Sequence, residues 1–254
     1  MSGHSKWATI KHKKGATDAR RGRVFSRLIK EITVAARLGG GDANANPRLR
    51  SSIAAAKAEN MPNENIERAI RRGTGQIPGL TLEEATFEGY GPGGVAVLVE
   101  ITTDNRTRTV NELRHLFSKW SGNLGESGCV AWMFDKKSYL TLPKETVDED
   151  TLLGIVLEAG AEDLRDDGSH WEIIAPPHSL DAIKAALEAR QLKPATAEVT
   201  LLPQNIVPVE GGTARQLLRL LEALEEHDDV LHVYANFDIA EKEIEEAIAA
   251  TGSE

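Results

Sequence analysis

The sequence predicts an α+β multidomain protein, in which a basic N-terminal helical bundle precedes two units that contain both strands and helices. Three observations support this prediction. Apolar residues recur at helical spacing in the first 75 residues, β-branched runs and glycine-rich turns begin after Gly75, and the sign of the charge changes at the same place. The 254 residues are enough for one large domain or for two to three small ones.

The basic bundle, which we call the head, is predicted to contain three helices, over residues 18–38, 46–57 and 63–72. Each has a start or stop signal. Asn46 followed by Pro47 is typical of a helix start, because asparagine caps the first free amides and proline suits the first turn. The segment before residue 18 shows no apolar period, so we expect a flexible arm.

The remainder of the chain, which we call the body, is predicted to alternate between strands and helices. Val95–Thr102 is predicted to be a strand, Asn105–Lys119 a helix, and Ser127–Phe134 a strand again. The next six elements are predicted in the order strand, helix, strand, strand, helix, strand over 139–142, 148–158, 162–165, 171–175, 180–190 and 198–202. This βαββαβ order is typical of a ferredoxin-like domain. A helix over 213–226 and a strand over 230–237 precede an acidic tail.

The charge is distributed very unevenly along the chain. Its net value is −9, from 30 Lys and Arg against 39 Asp and Glu. Residues 1–75 carry 16 basic and 6 acidic side chains, whereas residues 76–254 carry 14 basic and 33 acidic ones. Such asymmetry suggests that the head binds a nucleic acid and that the body repels one.

The basic residues are densest in the first 30 positions, where nine Lys and Arg accompany a single acid, Asp18. Phosphates attract such arrays because each contact releases counterions. The alternative is a solvated helix face preceded by a flexible arm without a ligand. The scarcity of acids argues against salt bridges within this segment. We predict phosphate contacts from Lys6, Lys11, Lys13, Lys14, Arg20, Arg21, Arg23, Arg27 and Lys30. Trp7 is predicted either to stack on a base or to anchor the arm.

A weaker candidate site lies where the strand over 95–102 meets the next helix. Arg106 and Arg108 would add charge to the free amides of a helix N-terminus, which bind anions. The alternative is a capped helix start, with Asp104 or Asn105 as the cap, and we favour that alternative.

Other classes of protein are excluded by simple observations. The single cysteine, Cys129, permits no internal disulfide and is predicted to be a core residue of an apolar strand. No apolar stretch is long enough to span a membrane, and no secretory signal is present, so we expect a cytoplasmic protein. Residues 89–94 are rich in glycine but lack a phosphate-loop lysine. We predict no catalytic residue, no metal site and no cofactor.

Several motifs resemble those of the YebC/PmpR family. They lie at residues 3–7, 11–14, 21–32, 60–62, 67–70, 88–94, 103–106 and 122–125, and the resemblance covers essentially the whole chain. It implies three domains: the head over 1–75, an α+β domain formed by 79–134 with 206–239, and a ferredoxin-like domain inserted at 135–205. An acidic tail over 240–254 would follow.

The resemblance also implies a function. Family members are described as DNA-binding regulators of transcription that act without catalysis, so we expect a cytoplasmic, non-enzymatic regulator. Mitochondrial relatives are translational activators, and bacterial members have been linked to ribosomes, so an RNA-binding translation factor is the first alternative. A scaffold that binds a protein partner through its acidic body is the second. A basic head fits DNA and RNA equally well.

Overall fold

The computed structural model describes residues 18–79, 81–240 and 243, with the side chains of residues 18–21 left out. The predicted arm and most of the predicted acidic tail lie outside the described residues. The described chain divides into two compact units, one formed by residues 132–206 and the other by the residues on either side of them. The domain boundaries given above stay predictions.

The described helices are α1 (Asp18–Gly39), α2 (Pro47–Ala58), α3 (Asn63–Gly73), α4 (Arg106–Lys119), α5 (Glu149–Glu158), α6 (Leu180–Ala189) and α7 (Gly211–Glu226). The described strands are β1 (Glu83–Tyr90), β2 (Ala96–Thr103), β3 (Asn123–Leu124), β4 (Phe134–Pro143), β5 (Asp163–Asp166), β6 (His170–Ala175), β7 (Thr196–Pro203), β8 (Val207–Pro208), β9 (Val230–Ala235) and β10 (Phe237–Asp238).

The head consists of α1, α2 and α3 around a small apolar core, which confirms the three predicted helices. Asn46 holds the first two together. Its Oδ1 accepts a hydrogen bond from the amide of Leu49 at 3.1 Å and so caps α2. Its Nδ2 donates to the carbonyls of Ala35 and Gly40, at 2.8 and 2.9 Å. One buried side chain therefore satisfies backbone groups at the end of α1 and at the start of α2.

The same compact unit contains an antiparallel sheet in the order β3-β1-β2-β9. The alternate β2 residues Val97, Val99 and Ile101, together with Val95 just before the strand, point to one face, where α4 and α7 cover them. Because each helix contributes an apolar stripe, this face is a closed core. The core of the head is a separate apolar cluster.

The unit formed by residues 132–206 has its own sheet, in the order β5-β6-β4-β7, with every neighbouring pair antiparallel. Helix α5 lies between β4 and β5 in the chain, and α6 lies between β6 and β7. Leu140, Ile173, Val156 and Leu187 pack together between the sheet and the two helices.

The predicted strand over 127–134 is wrong. These residues form turns and a short 3-10 helix, and β4 begins only at Phe134. The reason is a buried carboxylate. Glu88 accepts hydrogen bonds from the amides of Gly128, Val130 and Ala131 at 2.6, 2.8 and 2.7 Å, so a side chain occupies the donors that a sheet would use. Cys129 is consequently half-buried in a loop rather than in a strand.

Two further strands differ from what the sequence predicts. Strand β1 was not predicted, because its sequence Glu-Glu-Ala-Thr-Phe-Glu-Gly-Tyr has no β-branched run. The strand predicted over 230–237 ends at Ala235 instead. Asn236 interrupts it by accepting a hydrogen bond from the amide of Ala96 through Oδ1, and β10 then pairs with β8 in parallel. No helix in the described part of the chain is long and apolar enough to cross a membrane.

Candidate nucleic-acid interface

Helix α1 carries the predicted cations on the face opposite the head core. Arg23, Arg27 and Lys30 follow one another at helical spacing, as expected. Val34 lies one turn further along the same face and is fully buried, with 0% of its surface exposed. This face is therefore covered, in part, by other residues of the same compact unit.

Lys30 is bound by three oxygens from the body. Its Nζ lies 2.7 Å from Oδ1 of Asp229 and donates to the carbonyls of Asp228 and Thr102 at 2.9 and 3.3 Å. An ammonium has three protons, and each has an acceptor here. The contacts come from the turn between α7 and β9 and from the end of β2.

Asp229 is the centre of this network, with only 6% of its side chain exposed. Its Oδ2 accepts hydrogen bonds from Thr103 at 2.9 Å, Thr109 at 2.7 Å and Arg108 at 2.6 Å. Burial alone would raise the pKa of Asp229, but the donors, Lys30 foremost, outweigh burial and hold its pKa well below the usual range. The carboxylate is therefore charged and fully bonded.

The start of α4 is capped, as we favoured from the sequence. Oδ1 of Asn105 accepts a hydrogen bond from the amide of Arg108 at 3.0 Å. The Arg108 guanidinium lies 3.1 Å from Asp104 as well as 2.6 Å from Asp229, and the hydrogen bond to Asp229 raises its pKa. Arg106 instead lies over the ring of Phe87, 5.8 Å from the centroid. Whether either arginine binds phosphate stays a prediction.

The other two cations of this face also have acidic neighbours. Arg23 pairs with Glu226 at 3.2 Å. Burial lowers the pKa of Arg27, although Glu225, Asp228 and Glu226 oppose the shift. The Nε of Arg27 is buried and has no hydrogen-bond partner in the described part of the chain.

The remaining predicted phosphate contacts belong to the predicted arm and to the start of α1. Lys6, Trp7, Lys11, Lys13 and Lys14 lie outside the described residues. Arg20 and Arg21 lie on α1, and their side chains also lie outside what is described.

The head has further exposed cations that the site prediction did not include. Arg37, Lys57 and Arg72 are exposed, and none forms an ion pair with a described residue. Arg68 and Arg71 pair with Glu64 and Glu67 within α3. Arg48 joins α2 to both Glu31 of α1 and Glu84 of β1.

Sequence reasoning missed the acidic side of the site. The sequence predicts Glu226 as the last residue of a helix and Asp229 as part of the turn that follows, yet both pair with predicted phosphate contacts. The signal was present, because the acidic run at 225–229 follows an apolar helix and complements the charge of α1. The pairing itself depends on the fold.

Glu112, His227 and Asp229 are close enough to suggest a metal site, with ligand atoms within 4.8 Å of one another. Their hydrogen bonds argue otherwise. Nδ1 of His227 accepts from the amide of Asp229 at 3.1 Å, so Nε2 carries the proton and donates to Glu112 at 2.9 Å. Both oxygens of Asp229 already have donors. The arrangement fits a network of hydrogen bonds that holds the turn better than it fits a metal centre.

These observations define a class: a mixed α+β protein with a basic helical N-terminal region that is joined by ion pairs to a sheet-containing body. Comparison with known proteins gives the family. The family described as the TACO1/YebC protein N-terminal domain matches residues 5–76, and the family described as the TACO1/YebC second and third domain matches residues 82–237. The chain belongs to the TACO1/YebC family.

Individual relatives agree with this assignment. A "Probable transcriptional regulatory protein" of Koribacter versatilis is 58% identical over 97% of this chain and 99% of its own length. One of the same name from Acidobacterium capsulatum is 59% identical over 96% and 98%. The crystal structure of a conserved hypothetical protein from Aquifex aeolicus is similar with a TM-score of 0.77 and 48% identity, over 88% of this chain and 92% of that one.

Proposed function

We propose that this chain is a cytoplasmic, non-enzymatic regulator of gene expression that binds DNA through the phosphates of its backbone. The observation that carries the proposal is the excess of ten positive charges in residues 1–75 of an otherwise acidic chain. A regulatory role is supported by relatives named as transcriptional regulatory proteins. Phosphate contacts release counterions and so give affinity without sequence preference.

The contacts are assigned to two parts of the head. The arm supplies Lys6, Lys11, Lys13 and Lys14, with Trp7 stacking on a base or anchoring the arm. Helix α1 supplies Arg20, Arg21, Arg23, Arg27 and Lys30. Arg106 and Arg108 form a secondary site, to which Arg108 contributes less because two carboxylates already hold it.

The rest of the chain is proposed to position the head. We assign residues 79–134 and 206–239 to an α+β domain, 135–205 to an inserted ferredoxin-like domain and 240–254 to an acidic tail. The element order β4-α5-β5-β6-α6-β7 and the sheet order β5-β6-β4-β7 support the ferredoxin-like assignment. The acidic surface of the body repels polyanions and is available to a protein partner.

The test is a salt titration of binding to a mixed-sequence DNA duplex. Replacing Lys11, Lys13 and Lys14 with alanine is expected to weaken binding to all sequences and to reduce the slope of log K against log salt by about 2.7, or about 0.9 for each lost contact. The control replaces Lys136, Lys184 and Lys193 of the other compact unit with alanine. Equal slopes for the two triple variants would show that the arm is not the site.

The second candidate is an RNA-binding translation factor, because phosphate contacts through the head suit RNA as well as DNA. Sedimentation of cell extracts through sucrose distinguishes the two. Association with ribosomes that survives DNase treatment but not RNase treatment favours the translation factor. Crosslinking in cells followed by sequencing then reports the bound nucleic acid and its location together.

A further inference from the structure

We propose that the acidic turn formed by residues 226–229 competes with nucleic acid for the basic face of α1. In this proposal, which rests on the proposed function, Glu226 and Asp229 pair with Arg23 and Lys30 in the unbound protein, and the negative charge of Asp228 lies near Arg27. A bound nucleic acid displaces them. The junction between the head and this turn, which we call the latch, therefore sets how much of the basic face is available.

The oxygens of the acidic turn occupy the positions at which phosphate oxygens would bind α1. Two oxygens of the turn lie 2.7 and 2.9 Å from Lys30 Nζ, and the Arg23 guanidinium has a carboxylate oxygen of Glu226 at 3.2 Å. A phosphate also offers several oxygens to an ammonium or a guanidinium. The same donors cannot serve the turn and a phosphate at once, so the two must compete.

The latch is ionic rather than apolar. The head core and the sheet core are separate clusters. Arg23, Lys30 and Arg48 supply ion pairs from the head to the body. Beside the latch lies a cleft of about 670 Å³, which Arg23, Lys30 and Asp229 help to line, so this part of the junction is not close-packed. Contacts of this kind weaken with salt and yield to a stronger polyanion.

The two ends of the latch differ in strength. The side chains of Arg23 and Glu226 are 36% and 53% exposed, whereas those of Lys30 and Asp229 are 20% and 6% exposed. We infer that release begins at Arg23, since an exposed pair is screened by solvent.

When Lys30 is released, the buried carboxylate of Asp229 still has hydrogen-bond donors. Oδ2 of Asp229 keeps its hydrogen bonds from Thr103, Thr109 and Arg108 when Lys30 leaves. The cost of opening is therefore smaller than for a buried pair whose members have no other partner. This second set of donors makes the contact reversible.

The experiment measures the affinity of Glu226→Gln for a DNA duplex at low salt. Glu226→Gln is expected to bind about two- to five-fold more tightly than wild type, the range of an exposed ion pair. The matched control is Glu222→Gln, which removes the same charge one turn earlier on α7, where the side chain forms no ion pair with a described residue. The control is expected to bind like wild type.

A double-mutant cycle tests the mechanism. If Glu226 acts by covering Arg23, then Glu226→Gln has no effect on affinity in an Arg23→Gln background. As a second measurement, hydrogen exchange of the backbone amides over 227–230 is expected to increase when DNA binds, because the turn loses its contacts with α1.

Each outcome decides between the proposals. Equal tightening by Glu226→Gln and Glu222→Gln overturns the latch, because it reports only a change in net charge. Unchanged affinity of Glu226→Gln, in a protein whose binding still depends on Lys11, Lys13 and Lys14, overturns the latch alone. If no form of the chain binds DNA or RNA, the proposed function fails, and the latch as a competitor fails with it.

Discussion

Lys30 and Asp229 are 199 positions apart in the chain, yet Lys30 Nζ lies 2.7 Å from Oδ1 of Asp229. This ion pair joins the head to the body at the point where α7 turns into β9. The network around it supports two predictions about stability.

Replacing Asp229 with asparagine is expected to lower the free energy of unfolding by about 3 kcal/mol, because Lys30 and Arg108 lose their shared buried carboxylate. Urea denaturation measures the change. The matched control is Asp228→Asn, since only the backbone carbonyl of Asp228 contacts Lys30. A loss of equal size in both variants would mean that negative charge in the turn matters rather than the network.

The pH dependence of stability follows from the same carboxylate. The pKa of Asp229 is lower in the folded protein than in the unfolded chain, so its contribution is complete above the unfolded value of about 4 and is lost as the pH falls further. Between about pH 5 and pH 2, wild type is expected to lose more stability than Asp229→Asn. If the curves of unfolding free energy against pH are parallel for the two proteins, Asp229 is not the source of the loss of stability at low pH.

Glu88 is expected to hold the loop over residues 125–131. The carboxylate accepts three backbone hydrogen bonds, and an amide at this position would turn a donor toward at least one of those N–H groups. Glu88→Gln is therefore expected to cost about 1–3 kcal/mol and to speed proteolysis within the loop. Glu126→Gln, an exposed change in the same loop, serves as the control and is expected to leave both measurements unchanged.

Asn46 is expected to contribute strongly to the stability of the fold, although it lies at the end of a loop. Asn46→Ala removes the cap of α2 and two hydrogen bonds to carbonyls near the end of α1, for an expected loss of about 2 kcal/mol. Thermal unfolding measures this loss of stability. Asn44→Ala, a nearby exposed position whose side chain forms none of these bonds, should unfold at the wild-type temperature.

Local signals were sufficient for most elements. The helices of the head were predicted because capping by Asn46 and the helical spacing of apolar residues act within a few positions of the chain. Strand β1 escaped prediction, since its alternating polar residues form a strand only when β2 pairs with it. The loop around Cys129 was mistaken for a strand because its amides bind Glu88, 40 or more positions earlier.

The sequence by itself determined that the positive charge is concentrated in a helical head, and that Arg23, Arg27 and Lys30 share one face of its first helix. Only the tertiary structure decided what that face meets. Helical periodicity is a local property, whereas an ion pair depends on which distant residues the fold brings within a few ångströms. Because the end of α7 and the turn before β9 carry Glu226 and Asp229 to α1, a face that the sequence assigned to nucleic acid or to solvent contacts the protein's own acidic turn.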